Sequence, residues 1–284
     1  MKVGDPPRRW SPGLWGVAVP SDTPPPWAAT NGYLIGGAGT GWLVDPGGAG
    51  ADADAAIDAL LAAAGTRTLK GVLLTHTHRD HWAGVAGVLR RHGRVDVLVH
   101  PLGLARLPAT LPARPLPPGR RLVAGTVVLE ALDTPGHASD HLAFWLPEDR
   151  ALLAGDLVAG RGSSWVGLPD GDVARYLETL MRVAELAPIL VAPAHGPPRV
   201  DGRRVLDEAH AHRLGREREV WAALATGPRT LTALRDAVYP GLDPRAHDLA
   251  ERSLLAHLRK LMRERRVLHL GTDEGGPFAQ ATGA

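Results

Sequence analysis

The feature that most constrains this chain is a seven-residue segment, Thr75-His76-Thr77-His78-Arg79-Asp80-His81. It follows the apolar run 71–74, which is typical of a buried strand, and precedes residues 82–91, which the pattern predicts to be helical. In an extended segment His76, His78 and Asp80 project to one side, and His81 can reach round after the chain turns. A chance cluster of histidines in a polar loop is the alternative. Placing so many imidazoles and carboxylates close together is unfavourable, because they repel one another and lose their hydration, unless a cation binds them. The segment therefore predicts a metal-binding loop, with one ion on the first pair of ligands and another on the second pair.

The composition limits the classes of protein to which the chain can belong. Of 284 residues, 44% are hydrophobic and 22% are charged, as in an ordinary globular protein. There is no cysteine, so any metal must have nitrogen and oxygen ligands. No apolar run approaches the roughly 18 residues of a membrane span, and residues 1–26 lack the apolar core of a signal peptide. These features predict a cytoplasmic protein without membrane attachment.

Positive charge is concentrated towards the C-terminus. Residues 203–266 contain 14 Lys and Arg against 9 Asp and Glu, whereas the whole chain has a net charge of +2. A surface that binds an acidic partner requires such an excess. A solvated, arginine-rich helical face explains the same numbers equally well.

The order of the predicted elements indicates a two-sheet sandwich. Strands and helices alternate as far as residue 100, and the segment 101–119 holds six prolines and is predicted to be irregular. Consecutive strands, a helix and a final strand follow, which do not suit a doubly wound parallel sheet. The predicted strands are 31–36, 42–45, 71–74, 95–100, 121–124, 127–132, 141–146, 151–154 and 188–193, with helices at 54–64, 82–91 and 172–187.

The C-terminal part has the layout of a winged helix. A helix is predicted over 203–224, with Arg213 and Glu217 placed for an i,i+4 ion pair. Thr230 can cap a second helix that runs to Val238, and Asp243-Pro244 is a strong start signal for a third that runs to 266. A hairpin of 267–270 with 278–281 follows. We therefore predict two domains, 1–202 and 203–284.

Four loops of the first part carry candidate ligands just after a predicted strand: 76–81, 133–137, 154–156 and 194–196. Glycine or proline flanks each one, as a tight turn requires. Histidines scattered at random would not all fall at strand ends. We expect these loops to meet.

The order HxHxDH, then Asp133-Thr134-Pro135-Gly136-His137, Gly155-Asp156 and His195-Gly196 resembles the metallo-β-lactamase superfamily over roughly residues 30–200. The resemblance implies an α+β fold, an αββα sandwich, with a two-metal hydrolytic centre. It implies that His76, His78 and His137 hold one metal, that Asp80, His81 and His195 hold the other, and that Asp156 bridges them. Asp80 or a metal-bound water would manage the proton. Zinc is the default for these donors, with manganese or iron as alternatives.

Further motifs are similar to the β-lactamase-like-protein-2 branch, which ends in a winged helix: Ser139-Asp140-His141, Pro169-Asp170-Gly171-Asp172, Tyr176-Leu177, His212-Arg213 and Arg216-Glu217. Animal members of that branch look like endoribonucleases specific for single strands. The absence of cysteine excludes the ligand set of many true β-lactamases. His78, where the diiron flavoproteins of the superfamily have Glu, argues against an oxygen-reducing role.

Three functions remain open from the sequence. The first is cleavage of phosphodiester bonds in single-stranded RNA, favoured by the branch resemblance and by basic residues between Arg252 and Arg266. The second is hydrolysis of a thioester or another small ester, as in glyoxalase II, with the same metal ligands. The third, a nucleic-acid-binding regulator with a vestigial domain, is disfavoured by the complete ligand set. The oligomeric state is left open.

Contacts with the substrate are predicted at four positions. Trp82 and Trp165 either stack on bases or pack in the protein. Ser163 and Ser164 either line the site or form a simple turn. Asp140 and His141 are candidates to orient His137, although His141 also suits the start of a strand.

Overall fold

Seven strands of the first sheet follow one another in chain order. Strands β1 to β4 are antiparallel, and β4 to β7 are parallel. Because β4 and β5 run in the same direction, with Val44 opposite Leu73, the residues after both strands emerge at the same edge. The strands are β1 Arg8–Ser11, β2 Leu14–Pro20, β3 Ala29–Gly36, β4 Gly39–Val44, β5 Thr66–Leu73, β6 Asp96–Val99 and β7 Ala113–Pro115.

The second sheet has five strands in the order β12-β11-β10-β9-β8. Only β11 and β12 are parallel, with Leu153 opposite Ala192, so the loops after these two strands also emerge together. A hydrogen bond from the Ala194 amide to the Gly155 carbonyl, 2.9 Å, holds them side by side. The strands are β8 Arg121–Ala124, β9 Val127–Asp133, β10 Leu142–Leu146, β11 Ala151–Gly155 and β12 Leu190–Pro193.

Apolar side chains pack on both faces of the first sheet. Alternation along β3 sends Ile35 into the layer between the two sheets, where Phe144 is completely buried. The neighbouring Leu34 points to the opposite face, against Ile57 of helix α1 (Ala51–Ala63) and Val88 of helix α3 (Val85–His92). Burial of both faces explains the continuous apolar runs Tyr33–Ile35 of β3 and Trp42–Val44 of β4.

The computed structural model describes residues 1–281, which divide into two compact units. The first comprises Met1–Thr134, Asp140–Gly162 and Ala184–Val205, and it contains both sheets. The second comprises Pro135–Ser139, Ser163–Val183 and the chain from Leu206 onward. The predicted domain boundary at 202/203 stays a prediction.

The second unit contains the winged-helix elements. Helices α6 and α7 and the hairpin β13–β14 share one apolar cluster with the end of α5, in which Leu258 and Phe278 are buried. Thr230 caps α6 as predicted, because its hydroxyl accepts a hydrogen bond from the Ala233 amide at 3.3 Å. The elements not yet given are α2 Arg79–Trp82, α4 Val173–Ala184, α5 Gly202–Ala223, α6 Leu231–Val238, α7 His247–Arg263, β13 Val267–His269 and β14 Phe278–Gln280.

The predicted sandwich and winged helix are confirmed, and several local expectations were wrong. The proline-rich segment forms a 3₁₀ helix, Pro101–Arg106, and the short strand β7. The helix expected over 82–91 is broken at residues 83–84 into α2 and α3, and β1 and β2 were not anticipated. A 3₁₀ turn, Pro244–Ala246, precedes α7.

The predicted ion pair of Glu217 with Arg213 was also wrong. The Glu217 carboxylate pairs with Lys260 at 2.8 Å and with Arg266 at 3.5 Å, not with Arg213. No described helix of the protein combines the length and the apolar character that crossing a bilayer requires.

We predict that Leu258→Ala destabilises the winged-helix unit by about 2–5 kcal/mol, because Leu258 is fully buried in its core. Leu268→Ala is the matched control, since Leu268 is 49% exposed, and it should cost less than about 0.5 kcal/mol. Hydrogen exchange of the α7 amides under mild denaturant measures both. Equal protection in the two variants would contradict this packing.

Candidate metal centre

Three of the predicted ligand loops lie at strand ends in the first unit. The first loop, which carries His76 to His81, follows β5, and the loops with Asp156 and His195 follow β11 and β12. Two groups of potential ligands result: His76, His81 and Asp156, and Asp80, His81 and His195. In each group the candidate ligand atoms all lie within 4.8 Å of one another. His81 belongs to both groups and lies at the middle of the cluster.

The candidate ligand atoms of the cluster lie a few ångströms apart. His195 Nε2 lies 3.3 Å from Asp80 Oδ2 and 3.3 Å from Asp156 Oδ1. His81 Nε2 lies 3.7 Å and 3.6 Å from the same two carboxylate oxygens. His76 Nε2 lies 2.9 Å from His78 Nδ1. His76 and His81 are fully buried, whereas the side chains of Asp80, Asp156 and His195 are 10–14% exposed, so a substrate can reach the centre from their side.

Asp45 is the residue that fixes the geometry of the first loop. It follows β4 and is buried; its Oδ1 accepts the Thr75 amide at 2.9 Å, and its Oδ2 accepts the Thr75 hydroxyl at 2.7 Å. The same Oδ2 lies 2.9 Å from His81 Nδ1. A carboxylate only accepts hydrogen bonds, so Nδ1 of His81 carries a proton, and Nε2 is the ring nitrogen that can bind a metal once it gives up its own proton. Carboxylate–histidine pairs of this kind orient metal ligands in proteins.

Backbone carbonyls orient other histidines in the same way. The Nδ1–H of His195 donates to the Ala29 carbonyl at 3.1 Å. In the second unit, the Nδ1–H of His137 donates to the Trp165 carbonyl at 2.6 Å. Each carbonyl accepts from Nδ1, so Nε2 is the ring nitrogen left to bind a metal. These contacts select the tautomer in which a histidine binds a metal through Nε2.

Opposite charges shift the pKa values of the cluster in the metal-free protein. Burial lowers the pKa of His195, but Asp156 and Asp80 outweigh it and raise the value to about 11. For His81, burial is likewise outweighed by Asp45, Asp80 and Asp156, which raise the pKa to about 9. Burial raises the pKa of Asp80, but His81 and His195 lower it to about 2. The cluster thus holds a concentration of negative charge that favours cations.

His141 and Asp140 support the loops. His141 is fully buried; its Nε2 accepts the Asp156 amide at 3.0 Å, and its Nδ1 lies 2.7 Å from the Thr134 hydroxyl. A side chain at Gly155 would come within 2.6 Å of His141 Nε2, and its φ of +50° also suits glycine. His141 therefore positions the Asp156 loop, and its role in orienting His137 stays a prediction.

Asp140 holds the first ligand loop at Thr77. Its Oδ2 accepts the Thr77 hydroxyl at 2.7 Å, and its Oδ1 pairs with Arg106 at 3.1 Å. Sequence reasoning missed Arg106 and Asp45. The position of Asp45 directly after a strand was a signal for it, whereas Arg106 lies in the 3₁₀ helix of the segment predicted to be irregular.

The residues present fit a pair of divalent cations. The donors are imidazole nitrogens and carboxylate oxygens, which suit zinc and neighbouring transition metals. His81 Nε2 is buried without a hydrogen-bond partner among the described residues, which is costly for a ring nitrogen unless a metal replaces its proton and binds it.

The predicted substrate-contact residues lie in different surroundings. Trp82 is half-buried, and its indole N–H donates to the Thr77 carbonyl at 3.1 Å. Trp165 is anchored by a bond from its indole N–H to the Leu249 carbonyl at 2.9 Å. Ser163 is exposed and Ser164 is buried. The anchored indoles favour packing for both tryptophans, and their role in substrate binding stays a prediction.

Comparison with known proteins supports the geometry. The model of the metallo-beta-lactamase superfamily matches residues 25–195, and that of the beta-lactamase associated winged helix domain matches residues 230–276. The chain belongs to the metallo-beta-lactamase superfamily. This is a superfamily of hydrolases whose members typically hold a dinuclear metal site, and His/Asp clusters suited to one are present.

Two curated relatives illustrate the similarity. The lactamase-like protein adaB of Aspergillus niger is 33% identical over 204 residues, which are 72% of this chain and 61% of that protein. The chain thus spans about three fifths of that relative. The beta-lactamase-like protein 2 homolog of Caenorhabditis elegans is 27% identical over 193 residues, covering 67% of this chain and 64% of that protein. The second match agrees with the predicted branch.

Solved structures extend the similarity over the winged helix. A metallo-beta-lactamase family protein from Thermus thermophilus covers 96% of this chain and 100% of its own, with 29% identity and a TM-score of 0.77. The protein TTHA1623, solved in a di-iron-bound form, is 31% identical with a TM-score of 0.54, and covers 66% of this chain and 96% of its own.

We predict that Asp45→Asn weakens metal binding about 10–100-fold, because His81 loses the carboxylate that fixes its tautomer. Asp58→Asn is the matched control, since that carboxylate is 47% exposed and pairs with Arg91 and His92. Competition with a chromophoric chelator measures both affinities. An Asp45→Asn protein that holds metal as tightly as the control would contradict the role of Asp45.

Proposed function

We propose that the protein cleaves phosphodiester bonds in single-stranded RNA with a dinuclear metal centre. One observation carries the choice of substrate: three arginines line a cavity of about 490 Å³ in the second unit. They are Arg175, Arg259 and Arg263. Gly136, the residue before the predicted ligand His137, lines the same cavity. Guanidinium groups beside a metal-ligand turn suit a polyanionic substrate.

The three guanidinium groups are available to a phosphate. Arg175 is exposed and forms no ion pair within the described chain. Arg263 pairs with Asp172 at 2.7 Å and Arg259 with Glu274 at 3.2 Å, but the two arginine side chains are 60% and 46% exposed. Exposed ion pairs of this kind are weak, so a phosphate can compete with the carboxylates.

Not all of the basic residues between Arg252 and Arg266 contribute to the proposed RNA-binding surface. Lys260 and Arg266 both pair with Glu217, and Lys260 is only 12% exposed. Arg252 pairs with Asp248 of its own helix at 2.8 Å. Of the basic residues of α7, Arg259 and Arg263 line the cavity and therefore support the choice of RNA.

The proposed metal ligands are those expected from the family. His76, His78 and His137 would hold one ion, Asp80, His81 and His195 the other, and Asp156 would bridge them. When bound, such a pair supplies Lewis acidity and a water nucleophile at neutral pH. Asp80, with its lowered pKa, is ionised at neutral pH, so its Oδ2 can accept a proton or a hydrogen bond during attack but has no proton to donate.

Zinc is the metal we propose, because imidazole and carboxylate donors suit it. Iron is the alternative, since the similar protein TTHA1623 was solved in a di-iron-bound form. Manganese is compatible with the same donors. The cytoplasmic location expected from the sequence stays a prediction.

The alternative function is hydrolysis of a small ester or thioester, as in glyoxalase II. The lactamase-like name of the relative that is 33% identical favours attack on an acyl carbon. The metal ligands serve both reactions, since the metals polarise a carbonyl and a phosphoryl oxygen alike. Only the arginine-lined cavity separates the two proposals.

We predict that the metal-loaded protein cleaves a labelled single-stranded RNA, and that His195→Ala or chelation of the metal abolishes cleavage. His92→Ala is the control, because His92 is exposed on α3. A thioester assayed in parallel separates the functions. Intact RNA with thioester turnover would contradict the RNA proposal and favour the alternative.

A second variant tests the cavity itself. Arg175→Gln should raise the KM for RNA several-fold with little change in kcat, because a phosphate contact far from the reacting atoms contributes binding energy alone. Arg182→Gln, an exposed arginine on the same helix, should leave KM unchanged. Equal KM values for Arg175→Gln and Arg182→Gln would remove the cavity from the account.

A further inference from the structure

Arg213 of helix α5 is a buried cation without a carboxylate partner in the described part of the chain. Its side chain is 4% exposed, and one guanidinium N–H donates to the Ser164 carbonyl at 2.6 Å. The group lies 5.5 Å from the centre of the Tyr176 ring. Its Nε is buried and makes no hydrogen bond within the described residues. The Ser164 carbonyl, the Tyr176 ring and a hydrogen bond with the Tyr176 side chain satisfy only part of a guanidinium that offers five donors.

Burial of this charge needs a counterion. Burial lowers the pKa of Arg213, but an arginine remains protonated at neutral pH. A buried charge is costly unless it is paired and hydrogen-bonded. Glu217, four residues further along α5, is engaged with Lys260 and Arg266 instead. The observation therefore points to an anion that comes from outside the chain.

Arg213 lines a cavity of about 210 Å³ with a positive character. Arg216 lines it too; its guanidinium lies 4.1 Å from the centre of the Tyr239 ring and pairs with Glu219 at 2.7 Å. The other polar side chains of its lining within the described chain belong to serine, histidine, tryptophan and tyrosine, and none is a carboxylate. The volume is below the roughly 300–1,000 Å³ of pockets for drug-sized ligands, so it suits one small group.

We propose that this cavity binds a phosphate group between Arg213 and Arg216, with the exposed Ser163 at its rim as a further donor. Arginine is well suited to phosphate because its planar N–H groups match the oxygens in pairs. The phosphate belongs to a monoester or to an internal diester of a longer ligand. The site is separate from the arginine-lined cavity on α4 and α7, and it does not depend on RNA being the substrate.

The cavity is linked to the predicted metal ligand His137 through the segment 163–165. Arg213 holds the Ser164 carbonyl, and the next carbonyl, that of Trp165, accepts the Nδ1–H of His137. The segment 163–165 thus connects the proposed phosphate site with a predicted metal ligand. A phosphate on Arg213 would fix this segment and with it the orientation of the His137 ring.

The pKa of His212 can report whether phosphate is bound in the cavity. His212 lines the cavity, and burial together with Arg213 and Arg216 lowers its pKa below the usual value. A bound phosphate would offset the two positive charges and raise the pKa of His212 again. Its ring resonances are assigned from the spectrum of His212→Gln, and the titration is followed by NMR.

The test uses the full-length protein stripped of metal, so that phosphate cannot bind at the dinuclear centre. Inorganic phosphate, uridine 3′-monophosphate and the dinucleotide UpU are titrated separately by calorimetry and by the His212 resonance. We expect binding that raises the pKa of His212. Binding of the monophosphate but not of UpU assigns the site to a terminal phosphate, and binding of UpU assigns it to a chain phosphate.

Arg213→Gln should weaken this binding about tenfold or more, because a charged hydrogen-bond donor is lost. Arg218→Gln removes the same charge from an exposed position of α5 and should change nothing. If Arg213→Gln does not fold, Arg216→Gln takes its place. A wild-type His212 pKa that stays unchanged at saturating phosphate overturns the proposal, as does equal binding by Arg213→Gln and Arg218→Gln. RNA cleavage assays do not enter either outcome.

Discussion

The carboxylate of Asp45 is the contact on which the metal centre depends. It is buried at the end of β4, and it accepts hydrogen bonds from both the amide and the hydroxyl of Thr75 while it faces the Nδ1 of His81. One side chain therefore fixes the direction in which the first ligand loop leaves β5 and the tautomer of its central histidine. The parallel pairing of β4 with β5 makes this possible, because it places the two strand ends side by side.

Hydrogen bonds also fix the orientation of the other histidines. His195 and His137 each give their Nδ1–H to a backbone carbonyl, and His141 uses both ring nitrogens to hold the Asp156 loop. Side chains held in this way need little rearrangement when a cation arrives, which is how proteins prepare metal sites. The raised pKa values of His81 and His195 show how much negative charge the site holds without a cation.

The sequence was sufficient to predict the sandwich, the winged helix and the ligand loops, because hydrophobic alternation and glycine-flanked turns are local signals. It was insufficient where the partner of a side chain lies far along the chain. Glu217 was predicted to pair with Arg213 by helical spacing, but Lys260 and Arg266 approach it from elsewhere. Asp45 and Arg106 were missed because their partners lie 30 or more residues away. Strand β7 was missed because prolines dominate its surroundings.

The central claim is that the described histidines and carboxylates hold two metal ions per chain. Metal analysis of the purified protein, combined with anomalous diffraction at the metal edge, measures both the number of ions and their ligands. The account predicts two ions, with His81 and His195 on one of them and Asp156 between the two. A single ion, or two ions of which neither is bound by His81, would contradict it.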